Sequence, residues 1–188
     1  MKHRHIGAIV VLLLAGCASL APEPAAVPTD PPGHRPLAPP AAVGDRAIGQ
    51  IVQGAVGARE LTLNCVISVK GDELSVVGLN AMGVRLFTIR YDGKQVSAAQ
   101  SLAVPGQLTP ERLLADLQLV YWPLASLEAP LGRAGYSLSE PSPGTRRLRR
   151  GEQLVAEVHF AGADPWGGRS WLVNLEHGYS LQIDSRSL

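Results

Sequence analysis

From Leu61 to Val69 apolar and polar residues alternate, with Leu61, Leu63, Cys65, Ile67 and Val69 on one side and mainly polar neighbours between them. A period of two puts every second side chain on one face of an extended chain, so the stretch predicts a half-buried strand. Further strands are predicted over Ala47 to Ala55, Leu74 to Leu79, Val84 to Tyr91 and Gln95 to Val104. Three short turns, Lys70-Gly71-Asp72-Glu73, Asn80-Ala81-Met82-Gly83 and Asp92-Gly93, separate the later ones. Glycine and aspartate tolerate the backbone angles of tight turns, and consecutive hairpins of this kind make an antiparallel meander.

The period changes at Thr109. Leu113, Leu114, Leu117, Val120 and Tyr121 recur at helical spacing behind Thr109-Pro110-Glu111. There the threonine can cap, the proline occupies the first turn without losing a useful donor, and the glutamate favours the positive end of the helix dipole. Trp122-Pro123 must end or bend this helix, because proline disfavours the helical region in the residue before it. A shorter second helix is expected from Leu124 to about Ala129, before Pro130 and Gly132.

Beyond a loop at Pro141-Ser142-Pro143-Gly144 the β pattern returns over Thr145 to Arg150, Gln153 to Phe160, Trp171 to Leu175 and Tyr179 to Asp184. In the second of these Leu154, Ala156, Val158 and Phe160 face one way. The sum is about nine strands and one bent helical element, an α+β chain that is mainly antiparallel β. Such a meander either forms a sandwich or curls into a half-open barrel, and curling reduces its exposed edges. A leucine-rich bent helix suits the mouth of a curled sheet as a lid, and Gly78 and Gly83 can supply the bends.

The first residues carry a different signal. Met1-Lys2-His3-Arg4-His5 is followed by the apolar run Ile6 to Leu14 and by Leu14-Ala15-Gly16-Cys17. This is the layout of a signal peptide over 1–16, and the run is much shorter than the roughly 20 residues of a spanning helix. An uncleaved anchor, or an ordinary signal peptide with a chance cysteine, is the alternative. From Ala18 to Val43 prolines recur among alanines and few charges, which predicts a semi-rigid, polyproline-like tether over 17–43 that ends at a single β-rich domain, 44–188.

Composition narrows the chemistry. The net charge is +1, from 17 basic and 16 acidic residues, so no global field favours nucleic acid. Hydrophobic residues make up 46% of the chain, enough for one real core. Hydrolase elbows, zinc-binding helices, phosphate loops and dinucleotide fingerprints are all missing, so no enzyme activity, metal or cofactor is expected. His159 on an outer strand face beside Glu157, and His177 in a turn, are read as solvated. Cys65 reads as a buried small hydrophobe.

The stripe Leu113, Leu117, Val120, Tyr121 and Trp122, facing Leu86, Phe87, Ile89 and Trp171, is the candidate lining of an apolar cavity, although core packing alone also explains it. Arg146, Arg147, Arg149 and Arg150 form a basic run that either meets anionic headgroups or an acidic partner, or is the charged guard of an edge strand. Asp164-Pro165-Trp166-Gly167-Gly168 reads either as a binding loop or as an ordinary long connection.

Two resemblances add to this. Leu14-Ala15-Gly16-Cys17 resembles the bacterial lipobox, which implies cleavage before Cys17, a thioether diacylglycerol on its sulfur and N-acylation. Cys65 would then have no disulfide partner, and thiolate metal sites are excluded. Ala18 and Ser19, with no aspartate after the cysteine, resemble the pattern sent to the outer membrane, which implies an anchor on its periplasmic face. The segment Leu79 to Gly93, with Leu113-Leu114-Ala115-Asp116-Leu117-Gln118-Leu119 and Tyr121-Trp122-Pro123, resembles DUF3261, a bacterial lipoprotein family of unknown function often met beside aryl-polyene and fatty-acid-type biosynthesis genes.

The order of strands and helix is similar to the LolA and LolB lipoprotein carriers, which hold acyl chains between a curled sheet and a helical lid. By that likeness Met82, at a turn tip, is placed to imitate a protruding membrane-inserting side chain. The expectation is therefore an outer-membrane lipoprotein that binds or delivers a hydrophobic ligand, an acyl chain, lipid or polyene-type lipid. The alternative is a non-catalytic structural or adaptor lipoprotein of an envelope complex, docked on a protein partner through the arginines or the tryptophan loop.

Overall fold

The computed structural model describes residues 34–56, 58–100, 108–162 and 164–188; the leader, Cys17 and most of the Pro-rich stretch lie outside the described residues. Alternation builds five strands in the first half: β1 Arg46–Val56, β2 Arg59–Lys70, β3 Glu73–Leu79, β4 Arg85–Tyr91 and β5 Val96–Gln100. Two helices follow, α1 Pro110–Tyr121 and α2 Leu124–Arg133. Five more strands complete the chain: β6 Tyr136–Ser142, β7 Thr145–Arg150, β8 Gln153–Phe160, β9 Gly168–Asn174 and β10 Tyr179–Ser187.

All ten strands join one antiparallel sheet in the order β5-β4-β3-β2-β1-β10-β9-β8-β7-β6. Each half is a meander, and the two are sewn together in the middle where Ile48 pairs with Ser187 and Val56 with Tyr179. The helices connect one sheet edge, β5, to the other, β6. Val76 and Phe87 on one wing line the same space as Leu172 and Leu181 near the other, so the sheet curls around α1 without closing. The expected α+β class and curled meander with a bent helical lid are what the chain forms.

Three features depart from the sequence expectation. Strand β6 occupies residues to which the sequence pattern assigned no strand, Pro141 and Ser142 among them falling in the expected loop, because beyond Tyr136 and half-buried Leu138 its side chains are exposed and give no alternation. It is an edge strand, where Pro141 is tolerated. Helix α2 runs through Pro130 to Arg133, since Leu127 and Leu131 on either side of the proline are both buried and hold the turn together. Residues 34–43, which composition places in the tether, are seated on the domain, with Arg35, Ala38, Pro40 and Val43 buried.

Gly78 provides one of the expected bends. The β3–β4 register shifts between Gly78 and Leu79, and a Cβ on Gly78 would stand 2.3 Å from the Phe87 ring. Only a bare backbone lets that ring lie against the strand. Gly78→Ala should cost about 1–3 kcal/mol in urea denaturation, because Phe87 is buried and has little room to move aside.

Candidate ligand-binding site

Helix α1 is positioned from both ends. The Thr109 hydroxyl accepts the Arg112 N–H at 3.3 Å, and Glu111 lies in the first turn. At the other end Trp122 leaves the helical region (φ −73°, ψ 147°) ahead of Pro123, which strands the last carbonyls. Arg146 of β7 collects them: one guanidinium nitrogen donates to the carbonyls of Trp122 at 2.7 Å, Leu119 at 3.0 Å and Val120 at 3.3 Å. Its Nε donates to Glu140 at 2.8 Å, and the cation complements the negative end of the helix dipole.

Between α1 and the concave sheet is an apolar cavity of about 70 Å³. Leu113, Leu114 and Leu117 form its helical wall, and Val52, Cys65, Val76, Phe87, Leu172 and Ile183 are among the strand residues opposite. Polar groups touch it at two places, Gln50 and Asp116. Gln50 donates to the Tyr121 hydroxyl at 2.5 Å, which also shares a 2.7 Å hydrogen bond with Ser185. Burial pushes the Tyr121 phenol up to about 12 and the Cys65 thiol up to about 12, so both are neutral at physiological pH.

Asp116 is the centre of a buried polar cluster. Its carboxylate accepts hydrogen bonds from the Arg35 guanidinium, from the Tyr179 hydroxyl and, at 3.2 Å, from Asn174 Nδ2. Burial pushes the Tyr179 phenol up, and the Asp116 charge pushes it further. Burial alone would pull the Arg35 guanidinium down, but Asp116 outweighs it and the net shift is upward.

Of the residues singled out from sequence, Phe87, Leu113 and Leu117 line the cavity. Ile89, Val120, Tyr121 and Trp122 are buried in the surrounding core instead. Tyr121 packs on Trp166 with ring centroids 4.7 Å apart, and Trp122 lies 6.0 Å from the same ring. Trp171 does not face the cavity. Ser170, Leu172 and Asn174 take the inner face of β9, so the alternation turns Trp171 outward, 38% exposed. Leu86, next to inward Phe87 on β4, is likewise on the other face and only partly buried.

The basic run is divided by the same alternation. Arg146 is 8% exposed and committed to α1, which removes it from any membrane or partner surface. Arg147 pairs with Glu157 at 2.5 Å, Arg149 donates to the Glu152 carbonyl at 2.7 Å, and Arg150 reaches Glu176 at 3.0 Å and the Tyr136 hydroxyl. Met82 is 84% exposed, on a turn where the Asn80 side chain accepts the N–H groups of Met82 and Val84. Trp166 is buried under Arg46, 4.7 Å from its ring, so the loop that carries it folds inward.

His159 stands on the outer face as expected, 2.6 Å from Glu157 and 3.3 Å from the Thr145 hydroxyl. Arg147, then His159, holds the Glu157 carboxyl below the usual range. This hydroxyl–imidazole–carboxylate row lies on an open strand surface and does not line the cavity. Burial, with Arg112 nearby, keeps His177 below the usual histidine value. Among the described residues no cluster suits a metal ion, and no helix is long and apolar enough to cross a membrane.

The family described as protein of unknown function, DUF3261, matches residues 47–187. The chain belongs to DUF3261. No curated protein matches it. Among solved structures this DUF3261 chain is similar to a LolA superfamily protein from Nitrosomonas europaea, at 9% identity and a TM-score of 0.46, over 77% of this chain and 85% of that one. It is also similar to a DUF1329 family protein from Desulfovibrio piger, at 8% identity and a TM-score of 0.35, over 78% of this chain and 85% of that one.

The sequence pattern did not single out Asn174, Tyr179 or the role of Asp116 within the DUF3261 region, nor Arg35 ahead of it. One signal was present: Asp116 lies three residues after Leu113 and four before Val120, an acid on the apolar stripe. A carboxylate there has to find a buried partner.

Proposed function

We propose that this DUF3261 protein is an outer-membrane lipoprotein, anchored on the periplasmic face through diacylglycerol and an N-acyl chain on Cys17, that binds a hydrophobic ligand between α1 and the sheet. The ligand is an acyl chain, a lipid or a polyene-type lipid, and binding is non-catalytic. The apolar void under α1 carries this reading. At about 24 cal/mol per Å³, 70 Å³ of unfilled space costs roughly 2 kcal/mol.

This volume is far below the roughly 300–1,000 Å³ of typical ligand pockets, so the proposed binding requires α1 to move outward to admit a chain. Burial of methylenes, worth about 0.8 kcal/mol each, supplies the driving force. Met82 and its exposed neighbour Val84 offer an apolar tip for contact with the bilayer or with a delivered lipid. In the basic run Arg147, Arg149 and Arg150 already have partners within the fold, which leaves the adaptor reading with less support.

The full chain carrying Cys17→Ser should bind a pyrene-labelled fatty acid saturably. Leu117→Glu, which puts a charge in the cavity wall, should abolish binding, whereas Trp171→Ala should leave it unchanged. Labelled palmitate should enter the wild-type protein and not the Cys17→Ser variant. Absence of saturable binding, together with no lipid in native mass spectra, would remove the carrier role.

A further inference from the structure

Helix α1 is held on two sides. One side, Leu113, Leu114 and Leu117, covers the cavity, where the void thins the apolar grip from beneath. Another flank is gripped by the segment before the first strand, which runs alongside the helix in the same direction. Arg35 pairs with Asp116, the Ala38 N–H donates to Gln118 Oε1 at 2.7 Å, Gln118 Nε2 donates back to the Ala38 carbonyl at 2.8 Å, and Trp122 Nε1 donates to the Pro39 carbonyl at 3.0 Å. Arg35, Ala38, Asp116, Gln118 and Trp122 are all buried.

These contacts differ in kind from a hydrophobic core. Buried Ala38 and half-buried Leu37 add a small apolar contact, but the named grip on α1 is an ion pair and hydrogen bonds whose partners water replaces once the segment lifts, so its local release costs less than global unfolding. Its far end, at His34, continues in sequence toward Cys17, while its near end is rooted in β1 through the 3₁₀ turn Pro40–Val43. The helix thus lies under a strap whose upstream end leads in sequence toward Cys17.

We propose that residues 35–39 are a latch that holds α1 shut over the cavity, and that peeling this segment from Asp116 and Gln118 opens it. Access to the cavity is then linked to the same stretch of chain that leads to the anchor. This rests on the reading of α1 as a lid over a ligand site.

Cys65 makes the opening measurable, because its thiol lines the cavity and is buried. In the full chain carrying Cys17→Ser it is the single thiol, since the sequence has two cysteines. Maleimide labelling under native conditions should be slow. Arg35→Ala and Gln118→Leu, which break different contacts with the same segment, should each accelerate it by about tenfold or more while the circular dichroism spectrum is unchanged. Val158→Ala, a core truncation on β8 away from the strap, serves as the control for lost stability and should accelerate it much less.

Labelling at the wild-type rate in both latch variants would overturn the latch, and so would equal acceleration by Val158→Ala, which would mean that labelling follows global unfolding. Should either latch variant fail to fold, the other decides. The pyrene fatty acid separates the two ideas. Faster Cys65 labelling without any fatty-acid binding leaves the latch standing and removes the carrier, whereas binding with unchanged labelling does the reverse.

Discussion

Asp116→Ala should destabilise the domain by about 3–5 kcal/mol, the largest loss expected from any single truncation in the polar cluster. The carboxylate is 3% exposed and answers three donors, Arg35, Tyr179 and Asn174. Without it a guanidinium stays inside the protein with its countercharge gone, and the Tyr179 hydroxyl and Asn174 amide lose an acceptor. The double variant Arg35→Met with Asp116→Leu should cost less than Asp116→Ala alone, because it removes both charges and keeps the volume filled. Urea denaturation of the wild type, Asp116→Ala and the double variant checks the order, and a double variant worse than Asp116→Ala would refute the account.

Arg146→Met should follow at about 2–4 kcal/mol, although the position is one of four arginines within five residues. Three carbonyls at the end of α1 and the Glu140 carboxylate would lose their donor together. Lysine should not restore the stability, since a single ammonium cannot reproduce the planar fork that reaches both the carbonyls and Glu140. Arg147→Ala, at a pair 41% exposed on the arginine side, should cost no more than about 1 kcal/mol. Hydrogen exchange in the last turn of α1 should quicken in the first variant and not in the last.

The contrast between these two neighbours shows what could be read from the sequence. Alternation marked the first four strands and the capped helix to within a residue or two, because one face of each is apolar and the other polar, whereas the fifth strand, expected to reach Val104, is described only to Gln100. The same rule, applied residue by residue to Arg146 and Arg147 or to Trp171 and Leu172, would have put them on opposite faces; grouping them by chemistry hid that.

Other features had no periodic trace. Strand β6 has an edge position and few buried side chains, and the strap at 35–39 makes its polar contacts with α1 through main-chain groups and one ion pair. Backbone hydrogen bonds leave no mark in a hydropathy pattern. The cavity was equally invisible, since Phe87, Leu113 and Leu117 look the same whether the space between them is full or empty.

The placement of β10 between β1 and β9 has a consequence for assembly. Ile48 cannot pair with Ser187 until nearly the whole domain has been synthesised, so until then β1–β5 and β6–β9 stand as separate meanders. During that interval each exposes an unpaired border strand, an edge open to pairing with another chain. A stop codon before Tyr179 would remove the keystone, and the halves would be joined only through the helical crossing.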